Sequence, residues 1–169
     1  MEGIAYGGDW NPEQWDHETN LRDIERMVEA GVTLISQGIF SWASLEPEEG
    51  RYDLDWLADL IDQLHNAGIS VDLANGTASP PAWMAQRYPE TLPVDSRGVR
   101  LGFGSRQQYN PSSALFSQKA CALTEAMARR FGDHPGVVMW HISNEYACHT
   151  AESFDDESAA AFRRWLVEK

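Results

Sequence analysis

The sequence predicts an α/β fold in which parallel strands alternate with helices. Three observations predict it. Apolar runs of strand length alternate with segments of helical period, in the order βαβαβαβα. Helix-to-strand turns are short (AGV, AGI, GDHPGV), whereas strand-to-helix segments are long and rich in Trp, Phe, Pro and Glu. No G-x-G-x-x-G follows the first strand, and GGDWNPEQW is bulky and acidic where a phosphate loop is small. The asymmetry matches a (β/α)8 TIM barrel, whose strand ends carry the site, better than a nucleotide-binding doubly wound sheet. Such a barrel has eight strands and typically about 250 residues. The 169 residues here supply four βα units and stop in LVEK, inside an apparent helix. Residues 1–169 are therefore expected to be the N-terminal half of a barrel, cut short.

The elements follow in order. GIAYGG (3–8) reads as the first strand. HETNLRDIERMVEAG reads as a helix, with Leu21, Ile24 and Val28 on one face and Gly31 as its stop. VTLISQGIF (32–40) is β-branched and apolar, a second strand. DLDWLADLIDQLHNAG is the clearest helix: Leu57, Leu60, Ile61 and Leu64 recur at i, i+3, i+4 and i+7. ISVDLAN (69–75) is the third strand, and a long Pro- and Gly-containing segment follows it. A helix from about Leu115 to Phe131 carries Leu123, Met127 and Phe131 on one face. GVVMWHIS (136–143) is the fourth strand. From Asp155 the pattern is helical again, with Phe162, Trp165 and Leu166 as the expected buried set. The first and fourth strands would be unpaired edges, which predicts self-association.

Composition narrows the function classes. The chain is 43% hydrophobic, enough for a core, and its seven tryptophans also suit a site for flat ligands. A net charge of −13 disfavours nucleic acid and anionic membranes and favours a neutral substrate. Two cysteines, Cys121 and Cys148, give no disulfide framework. No signal peptide and no membrane-length apolar run is visible, so a cytoplasmic location is expected.

The strand-end segments carry the candidate chemistry. WHISNEY (140–146) places Glu145 just past the fourth strand, where reacting groups sit in a barrel. Glycoside hydrolysis needs one carboxylic acid to protonate the leaving oxygen and a second carboxylate across the bond. The amide of Asn144 is suited to a sugar hydroxyl. A bare Asn-Glu pair is ordinarily a solvated turn, and the strand context puts the catalytic reading ahead. Arg106, in GFGSRQQYNPSS, is open to two readings: a fork on sugar and carboxylate, or a loop ion pair. Phe40 and Trp42 either face a sugar ring or cover the barrel end. Glu46, Glu48 and Glu49 are expected in water, as acidic runs usually are, although Glu46 also suits a polar site. Trp83 lines the site or packs, and Asp72 is expected to be structural. Cys148 and His149 are adjacent but fall short of the four ligands of a tetrahedral metal site, so no metal and no cofactor are expected. No G-x-S-x-G nucleophile elbow is present.

YGGDWNPEQW, AGVTLISQGIFSWASLEPEEG, ASPPAW, LPVDSRGVRLGFGSRQQYNPSS and HISNEY, in this order, resemble the N-terminal part of glycoside hydrolase family 42 β-galactosidases. The resemblance implies a (β/α)8 barrel that hydrolyses terminal β-galactosides with retention, homo-oligomeric at full length. It implies Glu145 as general acid/base, Asn144 as its partner on the sugar, Arg106 as a substrate- or nucleophile-positioning residue, and Phe40 as a wall of the galactose subsite. The family's nucleophilic glutamate would lie on a late strand beyond Lys169, so residues 1–169 alone are expected to be inactive. Another retaining barrel glycosidase, or a sugar-binding or assembly fragment without turnover, remains open. Some members hold a structural zinc through cysteines; Asn110 stands at one such position and HTAESFDDESAAAF has no others, so that site is expected to be absent.

Overall fold

The computed structural model describes residues 3–104 and 106–169. Its strands are β1 (Gly7–Trp10), β2 (Leu34–Gln37), β3 (Ser70–Ala74) and β4 (Val137–His141). They form one parallel sheet in the order β1-β2-β3-β4. The α-helices are α1 (His17–Glu29), α2 (Trp42–Leu45), α3 (Asp55–Asn66), α4 (Ala82–Arg87), α5 (Ala114–Phe131) and α6 (Asp156–Glu168). This is the predicted alternation, with two short helices added in the strand-to-helix segments. Strand 1 starts later than the sequence suggests, at Gly7 rather than Gly3. Close approach explains the glycine there: a Cβ on Gly7 would lie 1.7 Å from the Leu34 carbonyl oxygen.

One core lies between the sheet and its helices. Leu57, Leu60, Ile61 and Leu64 of α3 are buried, as are Leu123, Met127 and Phe131 of α5. They pack against Val71 and Leu73 of β3 and against Trp42. The helical periods of these two segments were therefore sound. Alternation in β2 and β3 sends Ile35, Val71 and Leu73 into the core and Ser36 and Asp72 to the opposite face. There the Ser36 hydroxyl donates to Asp72 Oδ2 at 2.9 Å, and His141 Nδ1 lies 3.5 Å from the same oxygen. Asp72 is thus tied to β2 and β4 from the face that the helices leave uncovered. Val71 pairs with Val137 but Asp72 with Met139, so Val138 is an extra residue in β4. This bulge turns the strand just before the WHISNEY segment.

Two helix faces differ from expectation. In α1 the buried residues are Asn20 and Ile24, whereas Leu21 and Val28 are exposed. β1 has a neighbour on one side only, so the α1 flank beyond it has nothing to pack on. In α6 no residue is buried, and Phe162, Trp165 and Leu166 are each more than half exposed. An amphipathic stripe needs a facing surface, and β4, the strand before α6, is the other edge of the sheet.

The acidic segment after α2 also departs from expectation. Glu46 is 2% exposed. Its carboxylate accepts from Trp42 Nε1 at 2.8 Å and the Gly50 amide at 2.7 Å, and its carbonyl accepts from Trp83 Nε1. Trp42 and Trp83 are thereby packing residues. Glu49 bonds Lys119, Tyr88 and Arg87, tying α5 and the α4 segment to the loop after β2. These bonds, that of Lys119 foremost, hold its carboxyl down at about 2. Only Glu48 meets the expectation, exposed in a pair with Arg51.

Two measurements check this packing. Leu123→Ala should cost about 2–5 kcal/mol in denaturant unfolding, and Leu166→Ala should stay within about 0.5 kcal/mol. Equal costs would contradict the burial pattern. The depressed Glu49 group contributes stability above its ordinary value of 4.5, and this is lost as pH falls toward 2. Glu49→Gln should therefore flatten the stability–pH slope between those values, read by thermal melts.

Candidate active site at the strand ends

Parallel strands bring all their carboxyl ends to one side of the sheet. Phe40 follows β2, Arg106 lies between β3 and α5, and Asn144 and Glu145 follow β4. All four predicted residues therefore lie on loops at the same end. Two of them are in contact: the Arg106 guanidinium sits 4.6 Å from the centre of the Phe40 ring. That cation–π placement stacks the exposed Arg106 on an aromatic ring. Trp42, the other aromatic of this segment, is fully buried against Phe116. Ser105, beside Arg106, lies outside the described residues.

Glu145 is exposed and has φ +45, in the left-handed region that a non-glycine residue rarely adopts. Asn144 Nδ2 lies 3.4 Å from Glu145 Oε2, so amide and carboxylate form one polar unit. What holds this turn is Gln107. It is 3% exposed, and its side-chain amide donates to the carbonyl oxygens of both Asn144 and Glu145. Its own backbone amide donates to Ala78 O at 2.7 Å. Gln107 thus joins the loops after β3 and β4. Sequence reasoning missed it, although it stands next to Arg106 in the same quoted segment.

The turn after Glu145 brings Cys148 and His149 back toward it. Their ligand atoms and a carboxylate oxygen of Glu145 lie within 4.8 Å of one another, all on exposed side chains. The sequence pairs only the two adjacent residues; the fold adds Glu145. The set still falls one ligand short of a closed tetrahedral site. Asn110 has a different environment. It is fully buried, donates to Asp155 Oδ2 at 2.9 Å, and accepts from the Ser112 amide and the Ser158 hydroxyl. Asp155 caps α6. Its partial burial pushes the carboxyl up, but bonds from Ser153 and Ser158 outweigh this and leave it at about 2. The Asn110 position is thus a hydrogen-bonded anchor for the start of α6.

The described helices include none long and apolar enough to cross a membrane. A family model described as β-galactosidase, glycoside hydrolase family 42, matches residues 9–169. A β-galactosidase of Arthrobacter sp is 52% identical over all 169 residues, which cover 24% of that relative. The crystal structure of the β-galactosidase from Rahnella sp. R3 superposes with a TM-score of 0.94 at 43% identity, covering 100% of this chain and 25% of that one. The β-galactosidase from the haloarchaeon Halorubrum lacusprofundi gives 0.93 at 33% identity, covering 98% of this chain and 25% of its own. The chain spans about a quarter of the length of these relatives. From the strand-end geometry and these likenesses together, the chain belongs to glycoside hydrolase family 42, as a βα portion of its barrel.

Proposed function

We propose that residues 1–169 form the acid/base-bearing part of the catalytic barrel of a retaining enzyme that hydrolyses terminal β-D-galactosides. The observation that carries this reading is Glu145 at the end of β4, its turn fixed by Gln107 on the neighbouring loop. Family membership supplies the substrate class, since the matched relatives are named β-galactosidases.

In this reading Glu145 protonates the glycosidic oxygen as the bond breaks, and a second glutamate outside residues 1–169 attacks the anomeric carbon. The two carboxyls then stand about 5–5.5 Å apart, which gives net retention. Glu145, deprotonated by the first step, takes a proton from the water that releases the sugar. Asn144 bonds the sugar beside the acid. Arg106 and Phe40 form a wall of the galactose subsite, with the guanidinium positioned for a hydroxyl or for the nucleophile's carboxylate. No described residue takes the nucleophile's role, so residues 1–169 alone bind sugar at most. The full-length enzyme is cytoplasmic and homo-oligomeric in this reading, as the family resemblance and the acidic surface suggest.

Three experiments test it. Purified 1–169 should show no turnover of an aryl β-galactoside. In the full-length protein, Glu145→Gln should lower kcat/KM for alkyl β-galactosides by about 10²–10⁴-fold. It should slow hydrolysis of dinitrophenyl β-galactoside much less, because that leaving group needs no proton. Equal losses on both substrates would exclude the acid role. Gln107→Ala should lower kcat by about tenfold or more with little change in KM, because a misplaced acid is felt mainly in the transition state. An unchanged kcat would show that the Glu145 turn holds without it.

A further inference from the structure

A pocket lies on the helix side of the sheet, between the loop after β1 and the opening turns of α1 and α3. It has a volume of about 240 Å³ and is lined by Pro12, Glu13, Trp15, His17, Asn20, Trp56, Asp59, Leu60 and Gln63. Four buried polar atoms of its lining side chains find no hydrogen-bond partner among the described residues: Glu13 Oε2, Asn20 Oδ1, Gln63 Oε1 and Trp56 Nε1. Buried polar groups are rarely left unpaired, and four around one cavity is a dense set. Asn20 is the firmest of them. It is 5% exposed, and its Nδ2 is committed to the Pro12 carbonyl at 3.1 Å, which leaves Oδ1 for the cavity.

The chemistry of the set selects a ligand class. Glu13, Asn20 and Gln63 offer acceptors, and the indole N–H of Trp56 is a donor. A bare cation would meet that N–H end-on, and an anion would meet Glu13 and Asp59. A hydroxyl both donates and accepts, so a polyol satisfies all four atoms. The indole of Trp15, 61% exposed at the same pocket, offers an apolar face for the C–H side of a sugar ring. The volume equals that of about eight waters at ~30 Å³ each, room for one pyranose ring.

We propose that this groove is a saccharide-binding site for one neutral pyranose unit, with a lining that shares no residue with the Glu145 loop. Glu13, Asn20 and Gln63 accept from its hydroxyls and Trp56 donates to one. The site rests on its own lining residues and stands whether or not Glu145 is the catalytic acid.

The test is equilibrium dialysis of the chain against radiolabelled methyl β-D-galactopyranoside and methyl β-D-glucopyranoside. Dialysis reads binding whatever the state of association. Saturable binding is expected, weakened at least tenfold by Gln63→Leu and by Trp15→Ala and unchanged by Arg129→Ala on the exposed face of α5. Circular dichroism of the two weakened variants should match the parent. Asn20→Ser, which keeps an acceptor at the same position, should bind more tightly than Asn20→Leu. Lack of saturable binding would overturn the proposal and leave the cavity to ordered water. Binding lost in Asn144→Ala but kept in Gln63→Leu would overturn it by locating the sugar beside Glu145. Displacement of the sugar by potassium chloride at constant ionic strength would overturn it in favour of a cation site.

Discussion

Parallel pairing is the constraint on which the rest of the structure depends. A parallel sheet joined by crossover helices delivers every strand's carboxyl end to the same side. The sheet itself is short: its strands have four or five residues. What it achieves is alignment. Residues far apart in sequence, Phe40, Arg106 and Glu145, come to the same end of the sheet because β2, β3 and β4 run the same way. The helices enforce this from one face, where α3 and α5 bury the core side of β2 and β3.

Long loops at that end carry polar backbone with few regular partners, and three side chains provide them. Glu46 accepts from an indole and a backbone amide and fixes the loop after β2. Glu49 carries the connection outward to α4 and α5. Asn110 ties the loop before α5 to the start of α6. A buried carboxylate is costly unless its oxygens are bonded, so Glu46 stabilises the loop only because Trp42 and Gly50 meet it. An apolar residue there would leave both donors unmade.

The core was legible because periodicity reports burial where an element has neighbours on both flanks. That holds for α3 and α5, whose predicted faces are the buried ones. It fails for α1 and α6, which flank the edge strands, because a pattern records what a face can bury and says nothing about what covers it. Glu46 and Glu49 were illegible for another reason. An acidic run is solvated unless a particular donor reaches it, and the donors here, Trp42, Tyr88 and Lys119, include residues up to 70 positions away. Among the candidate residues, Glu145, Asn144, Arg106 and Phe40 stood out by residue type and strand-end position. Gln107 did not, because a glutamine that bonds two carbonyls across a loop has no local signature.

Gln107 and Glu145 share one further property. Both are non-glycine residues in the left-handed region, at φ +55 and +45. Each such residue costs about 1–3 kcal/mol and persists only where its surroundings over-determine it. Here the two support each other: the buried amide of Gln107 holds the carbonyls on either side of the Glu145 Cα, and the Ala78 carbonyl holds Gln107. A glycine at 145 would relieve the strain but would also remove the carboxyl. Glutamate thus stands at a position that backbone energetics assigns to glycine, held there by the bonds from Gln107.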